Sequence, residues 1–214
     1  MSKDSKYIPA LRFNILTPLF DPLLRWGMHE FTFKRRLIDE AHILRGYRVL
    51  DLGAGTGTLT VLLKQAHPNA EIIGIDGDPA VLSIARAKAA QQNVKITFDE
   101  GMAYQLPYEN QSFDRVVSSL VFHHLTTEDK QRTLNEVYRI LKPSGELLIV
   151  DFGEPQNLYA RIIATLFGRL ERTDDLTRGC LPKMFRRAGF QNVEIVTRFS
   201  TMVGTLALYR GRKP

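Results

Sequence analysis

The sequence predicts an α/β fold in which a mostly parallel sheet is covered by helices on both faces, and three observations carry the prediction. From residue 46 onward, short apolar runs alternate with segments of helical spacing, the pattern left by parallel strands joined through helical crossovers. The apolar run Arg48–Leu52 stops at glycines 53, 55 and 57, after which Leu59, Leu62, Leu63 and Ala66 fall on one helical face. Strand, glycine turn and helix in that order aim backbone N–H groups at a nucleotide-like ligand, and glycine lets the ligand approach the main chain. A second apolar run, Glu71–Asp76, ends in a carboxylate at the carboxyl edge of the strands, where open α/β sheets bind ligands.

Composition sets the bounds. A chain of 214 residues, 44% of them hydrophobic, suffices for one well-buried domain and leaves little for a second. No run has the apolar length that spans a bilayer, and the polar residues 1–6 lead into no signal-like core. One cysteine, Cys180, excludes an internal disulfide and a multi-cysteine metal site, so no metal is expected and a reduced, cytoplasmic setting is. The net charge of +6 comes from scattered cations, the densest groups being Lys34-Arg35-Arg36 and Arg186-Arg187 on predicted helices. Solvated helix faces are favoured over a nucleic-acid patch, and peripheral contact with a membrane stays open.

In chain order, Pro9, Pro18 and Pro22 divide an N-terminal stretch rich in large apolar groups such as Phe13, Phe20 and Trp26. Short helices, then a helix over 30–44, fit it. So apolar a segment either packs on the core or covers a greasy substrate, and both readings are open. Past the second strand, Asp78-Pro79 reads as N-cap and first residue of a helix reaching about residue 92, because the Asp side chain accepts from orphan amides and proline suits the first turn. Asp76 is thereby left for a ligand, 25 positions past Asp51 and close to the spacing at which an acid reaches ribose hydroxyls. Strands are expected at 94–98, 112–120 and 146–151. Between the last two, Thr126-x-x-Asp129 opens a helix as a capping box, with Leu134, Val137, Tyr138 and Leu141 on its inner face, and Lys142-Pro-Ser-Gly145 ends it. Then come an apolar helix over 158–170, a charged mobile connector at 171–175, a helix over 181–188 stopped by Gly189, and adjacent strands at 193–199 and 202–209.

Asp51-x-Gly53-x-Gly55-x-Gly57 resembles motif I of the class I S-adenosylmethionine (SAM)-dependent methyltransferases. A dinucleotide fingerprint would need glycine where Thr58 stands. Glu100-Gly-Met-Ala-Tyr-Gln-Leu-Pro-Tyr108 is similar to that family's G-D-A-x-x-L-P-F segment, with Met102 in the place of Asp. Ser112-Phe-Asp-Arg-Val-Val-Ser-Ser-Leu120 resembles motif IV in its S-F-D-x-V-x-S form, unlike the Asp/Asn-Pro-Pro-aromatic form tied to amide and nucleobase nitrogens. The run from Arg139 to Asp151 follows family pattern with Ser144 where glycine is common. Phe20-Asp21, Gly27-Met28-His29 and Lys34-Arg35 are similar to the N-terminal region of the ubiquinone/menaquinone-biosynthesis C-methyltransferases, with Phe20 replacing Tyr.

The resemblance spans about residues 46–210. It implies a Rossmann-like three-layer α/β/α domain over 46–214, with a seven-stranded sheet whose last strand is antiparallel, and residues 1–45 as an N-terminal helical cover or substrate lid of the same structural unit. It also implies SAM as methyl donor and S-adenosylhomocysteine as product. The implied donor site comprises Asp51, Gly53, Gly55, Thr56, Gly57, Asp76, Gly77, Gly101, Met102, Ala103 and Ser119. The glycine turn would hold the methionine portion, Asp76 the ribose and 101–103 the adenine. Thr56 and Ser119 are equally readable as a helix cap and as strand packing, and Met102 as a core residue.

Methyl transfer from a sulfonium depends on alignment and desolvation, so no side-chain constellation is compulsory. A base helps when the acceptor must lose a proton, and histidine is the usual choice near neutral pH. His123 and His124 follow the fourth strand, with His29 a weaker candidate, and each is also readable as a partner of loop backbone. The acceptor is expected to be small or lipophilic. A quinone-precursor ring carbon comes first and a phospholipid head group next, while arsenite is disfavoured by the single cysteine. A SAM-binding sensor or partner subunit without transferase activity and an RNA methyltransferase are the other classes, and the oligomeric state is open.

Overall fold

The computed structural model describes residues 30–167, 174–202 and 204–214. Its elements are α1 (Glu30–Glu40), β1 (Arg48–Leu52), α2 (Thr58–Ala66), β2 (Glu71–Asp76), α3 (Pro79–Gln91), β3 (Thr97–Glu100), β4 (Phe113–Ser119), a 3₁₀ turn (Phe122–His124), α4 (Thr127–Ile140), β5 (Leu141–Phe152), α5 (Leu158–Phe167), α6 (Asp174–Thr177), α7 (Leu181–Arg187), β6 (Gln191–Thr201) and β7 (Gly204–Arg212). The strands form one seven-stranded sheet in the order β3-β2-β1-β4-β5-β7-β6. β7 pairs antiparallel with both its neighbours, and every other pairing is parallel. This is the Rossmann-like α/β/α architecture expected, with a single reversed strand.

Side chains alternate between the two faces of a strand, and the sheet divides its apolar residues accordingly. Leu50, Val116, Leu147 and Ile149 pack with Leu134 and Val137 of α4 and Phe185 of α7. Val49, Val117, Leu148 and Val150 pack on the other face with Leu59 and Leu63 of α2 and with Phe33 and Leu37 of α1. The central strands read as continuous apolar runs because both faces are covered. The helix starts follow the cap chemistry: Asp78 Oδ1 accepts from the Ala80 N–H at 2.8 Å with Pro79 in the first turn, and Thr126 Oγ1 accepts from the Asp129 N–H at 3.0 Å.

Several boundaries differ from expectation, the last two strands running over Gln191–Thr201 and Gly204–Arg212 instead of 193–199 and 202–209. The first helix ends at Glu40 instead of 44, and His42 just beyond it takes a positive φ of 44°. The third strand pairs over Thr97–Glu100, because its register with β2 begins only at Ile73↔Thr97; Val94 and Ile96 are apolar because they pack beside α3. β5 starts at Leu141, pairs with Phe113, then bulges through Ser144 (φ 64°) before resuming at Glu146. The end of the expected connector is helical: Asp175 in α6 accepts from the buried Lys130 Nζ at 2.6 Å and from Thr127 Oγ1 at 3.0 Å, while Leu176 enters the core. Residues 171–173, like 1–29 of the N-terminal segment, lie outside the described residues.

α1 is a core element. Phe33 is fully buried and meets Phe199 with ring centroids 6.3 Å apart. Phe33→Ala is expected to cost about 3–5 kcal/mol of stability through lost burial and a residual cavity, as a shift in the urea midpoint at unchanged slope. A loss under about 1 kcal/mol would show α1 to be dispensable to the core.

Candidate active site

Parallel pairing brings the ends of β1, β2, β3 and β4 to one edge of the sheet. The glycine turn leaves that edge from β1. Gly53 and Ala54 donate to the Ile75 carbonyl at 2.8 and 2.9 Å, closing the turn onto β2. Gly53, Gly55 and Gly57 all have positive φ, at 72°, 52° and 75°, where an L side chain is strained. Their surroundings differ. A Cβ on Gly53 would come 2.3 Å from Val121, and one on Gly57 would meet Ala85 at 2.8 Å, whereas one on Gly55 would meet nothing within 4 Å. Two glycines are therefore demanded by packing, and the middle one keeps main chain exposed at the edge.

Asp51 sits beneath the turn with its carboxyl buried, accepting from Thr60 Oγ1 at 2.6 Å. Burial pushes it up to about 6, against the opposing pull of the Thr60 hydroxyl and the Lys34 charge. Thr56 Oγ1 accepts from Lys88 Nζ at 3.2 Å, and the N-cap position of α2 is Gly57, so Thr56 is not a helix cap. At the end of β2, Asp76 accepts from the Gly55 N–H at 2.8 Å through one oxygen and from the Asp78 N–H at 3.0 Å through the other. Burial raises its pKa and these amides offset part of the rise. The Gly77 N–H adds a third lowering contact, and a carboxylate, with about four lone-pair sites, keeps acceptor capacity beyond three amides.

Gly77 and Met102 close one wall, since a Cβ on Gly77 would lie 2.8 Å from Met102 Sδ. Gly101 donates to the Asp76 carbonyl at 3.0 Å, and Ala103 packs on the core. The segment that follows is clamped to α4. Arg139 donates to the carbonyls of Tyr108 (2.7 Å) and Leu106 (3.0 Å) and to Glu136 (2.8 and 2.9 Å), and Glu136 in turn accepts from the Leu106 N–H at 2.9 Å. Arg132 also lies over the Tyr104 ring, 5.0 Å from its centroid. The wall that holds Met102 is thereby anchored to a helix.

Past β4 the chain turns through Val121 into the 3₁₀ turn, and here a fully buried acid from β5 organises the edge. Asp151 accepts from the backbone N–H groups of Val121 (3.0 Å), Phe122 (2.8 Å) and Phe152 (2.8 Å) and contacts His123 Nδ1 at 3.0 Å. Burial alone would raise its pKa, but the facing His123 ring and the Phe152 amide reverse the sign and hold it below the ordinary carboxylate range. An ionised carboxylate can only accept, so Nδ1 of His123 carries a hydrogen towards it. The His123 ring is buried, edge-on to Phe152 at 5.2 Å and 3.9 Å from the ring of His124. His124 presents exposed surface, yet surrounding atoms crowd its ring. That burial, with His123 beside it, pulls its pKa down to about 4.

Of the residues expected to act together, the structure gathers the glycine turn, Asp76, Gly77, Gly101, Met102, Ala103, Ser119, His123 and His124 along one edge. His29 lies outside the described residues. Asp151 was missed, and its signal was an acid ending the fifth apolar run, the position that singled out Asp76 on the second. Among the described residues no cluster of His, Cys, Asp and Glu suited to a metal ion is found. Two features fit a nucleoside-type methyl donor: among the described residues the approach at Gly55 is open, and the Ser119 hydroxyl, buried at the end of β4, has no hydrogen-bond partner there.

Residues 49–145 match the methyltransferase domain family, the class that this sheet and its edge define. The chain is 36% identical to the demethylmenaquinone methyltransferase of Thermus thermophilus, over 67% of this chain and 65% of that one. It is 30% identical to the demethylmenaquinone methyltransferase of Lactiplantibacillus plantarum over 94% of each. The fold is similar to that of a Haemonchus contortus phosphoethanolamine N-methyltransferase in complex with phosphomonomethylethanolamine and S-adenosylhomocysteine, with a TM-score of 0.71 and 16% identity over 86% of this chain and 53% of that one. The chain belongs to the SAM-dependent methyltransferase family that includes the demethylmenaquinone methyltransferases.

The glycines separate fold from binding. Gly53→Ala is expected to cost about 2–5 kcal/mol in urea unfolding through overpacking and left-handed strain. Gly55→Ala should cost only about 1–2 kcal/mol while weakening S-adenosylhomocysteine at least tenfold by calorimetry. Equal stability losses, or unchanged affinity in Gly55→Ala, would refute the distinction. Asp51 gives a pH signature. Its folded pKa of about 6 lies above the ordinary 3.8, so the folded state holds the proton more tightly and stability falls as pH rises between those values. Asp51→Asn should flatten that stretch of the stability–pH curve; an unaltered slope would contradict the assignment.

Proposed function

We propose that the chain methylates a ring carbon of a lipophilic quinone precursor, with His123 as the base and Asp151 as the residue that positions it. The observation that carries the proposal is the buried Asp151–His123 pair at the edge where the glycine turn and Asp76 meet. The family's demethylmenaquinone methyltransferases support the acceptor class.

SAM, when bound, supplies a methyl group activated by its sulfonium. In the proposed site the main chain of the glycine turn carries the methionine portion, with Ser119 Oγ as a further hydrogen-bonding group. The free acceptor positions of Asp76 take the ribose hydroxyls, and Gly101, Met102 and Ala103 border the adenine, where the Met102 thioether offers a polarisable surface. On the acceptor side, His123 Nε2 takes the proton of a ring hydroxyl on the reduced substrate. The neighbouring ring carbon, now richer in electrons, bonds to the methyl group as the carbon–sulfur bond of the donor breaks towards sulfur. The proton on His123 returns to the ring oxygen, and the carbon's own proton passes to the freed Nε2 and on to solvent as aromaticity returns. The Asp151 carboxylate holds Nδ1–H throughout, keeping the ring oriented and stabilising the charge it acquires. Phe122, Phe152 and the buried side of the 3₁₀ turn keep water from the ring.

The test is incubation of the purified chain with labelled SAM and a detergent-dispersed, reduced demethylmenaquinone, read by product mass. Label on a phospholipid head group, or S-adenosylhomocysteine binding without any transfer, would overturn the acceptor assignment. His123→Ala should lower kcat by about 10²–10⁴-fold with S-adenosylhomocysteine affinity within about twofold. His124→Ala should stay within a few-fold of the parent, and the reverse ranking would assign the base to His124.

A further inference from the structure

Along the same edge, the structure carries an apolar surface that neither the donor site nor the core accounts for. α5 begins just past the end of β5, and the β6–β7 hairpin turns at the same edge, because β6 runs in the direction of β5. The two are tied into one rim: Tyr159 Oη donates to the Met202 carbonyl at 2.6 Å, and the Gly153 N–H donates to the Thr205 carbonyl at 3.0 Å. α5 turns Ala160 inward, at 3% exposure, and leaves Leu158, Tyr159 and Ile162 exposed at 73%, 53% and 52%, with Met202 beside them at 59%. Residues 158, 159 and 162 share one helical face by their spacing. A helix apolar on its outward face as well as its inward one is not that of an ordinary surface helix.

We propose that this rim, Leu158, Tyr159, Ile162 and Met202, is a docking surface for an anionic lipid bilayer. The charge pattern selects that occupant. Within the described part of the rim, residues 155–162 include the exposed Arg161 and no acidic residue, and the whole chain carries a net +6. Apolar side chains flanked by arginine, with an amphipathic tyrosine among them, match the boundary between head groups and acyl chains, where cations gain from anionic lipid. Seated there, the chain would turn the edge bearing His123 towards the bilayer, so that a lipophilic acceptor reaches the site without crossing water. That consequence rests on the acceptor class proposed above; the docking surface itself does not.

The experiment is co-sedimentation of the full chain with phosphatidylglycerol/phosphatidylcholine vesicles and with phosphatidylcholine vesicles alone, with no methyl acceptor present. Partition should favour the anionic vesicles and weaken with salt. Leu158→Asp, Ile162→Asp and Met202→Asp should each lower it at least tenfold. Leu44→Asp, on an exposed apolar residue in the turn before β1 at the opposite edge, should leave it unchanged. S-adenosylhomocysteine calorimetry on each variant verifies that the donor site is folded, and any variant failing that control is replaced by the corresponding Ser. Three outcomes overturn the proposal: no partition by the parent chain, equal loss in the Leu44 variant, or unchanged partition in the rim variants. A rim variant that turns a dimer into a monomer while vesicle binding persists would assign the face to a second copy instead. Because no acceptor is used, a failed acceptor assignment leaves this readout standing, and a failed vesicle assay leaves the acceptor test standing.

Discussion

A single buried carboxylate holds the working edge of this sheet together. Asp151 has no exposure to solvent, and an uncompensated charge there would be severely destabilising. Its four hydrogen-bonding contacts compensate for the burial, and they come from three places: its own strand through Phe152, the turn after β4 through Val121 and Phe122, and the ring of His123. Val121, fixed in this way, fills the space beside Gly53, where no side chain could stand. The shape of the glycine turn and the orientation of the imidazole thus answer to the same acid. The proposed donor and acceptor sides of the edge would then be set by one local network instead of two independent ones.

The two sides use different means. The proposed donor side is built from main chain: the glycine turn, the strand-end Asp76 held by backbone N–H groups, and a wall at 101–103 whose continuation at Leu106 is fastened to α4 by Glu136 and Arg139. Main chain anchored in this way costs little entropy to order further when a ligand arrives. The proposed acceptor side is built from rings, with Phe122 and His123 buried and the partly buried Phe152 edge-on to His123. A reaction whose electrophile is already activated gains most from alignment and water exclusion, and this division supplies both.

Much of this was legible in the sequence because it is local. Glycines at alternate positions after an apolar run, Asp78 before Pro79, and Thr126 three residues before Asp129 each act within a few residues, and each is found as expected. Asp151 was not legible as a site residue, because its partners lie some 30 residues earlier across a helix, and only the β4–β5 pairing brings them together. Lys130 offered a clue of another kind. It lies four and seven residues before Leu134 and Val137, on the inward face of α4, where a lysine needs a partner. Asp175 is that partner, and it converts the end of an expected loop into the anchored turn of α6. The third strand was misplaced because Val94, Ile96 and Phe98 alternate as a strand would, while hydrogen bonding to β2 starts only at Thr97.

The two adjacent histidines show why a residue type alone does not define a base. Their rings are 3.9 Å apart, so both cannot carry a proton without strong repulsion. Their environments differ. His124 is crowded and has no carboxylate of its own within hydrogen-bonding distance among the described contacts, and its pKa is pulled down to about 4 by burial and by His123. It is neutral near physiological pH but too weak a base to hold an acceptor's proton there. His123 has the Asp151 anion at its Nδ1, which fixes the tautomer and offsets the positive charge that a transferred proton creates. Repulsion between the rings adds to burial in holding His124 uncharged. In the proposed mechanism His123 alone then takes the acceptor's proton, its ring held at Nδ1 by Asp151.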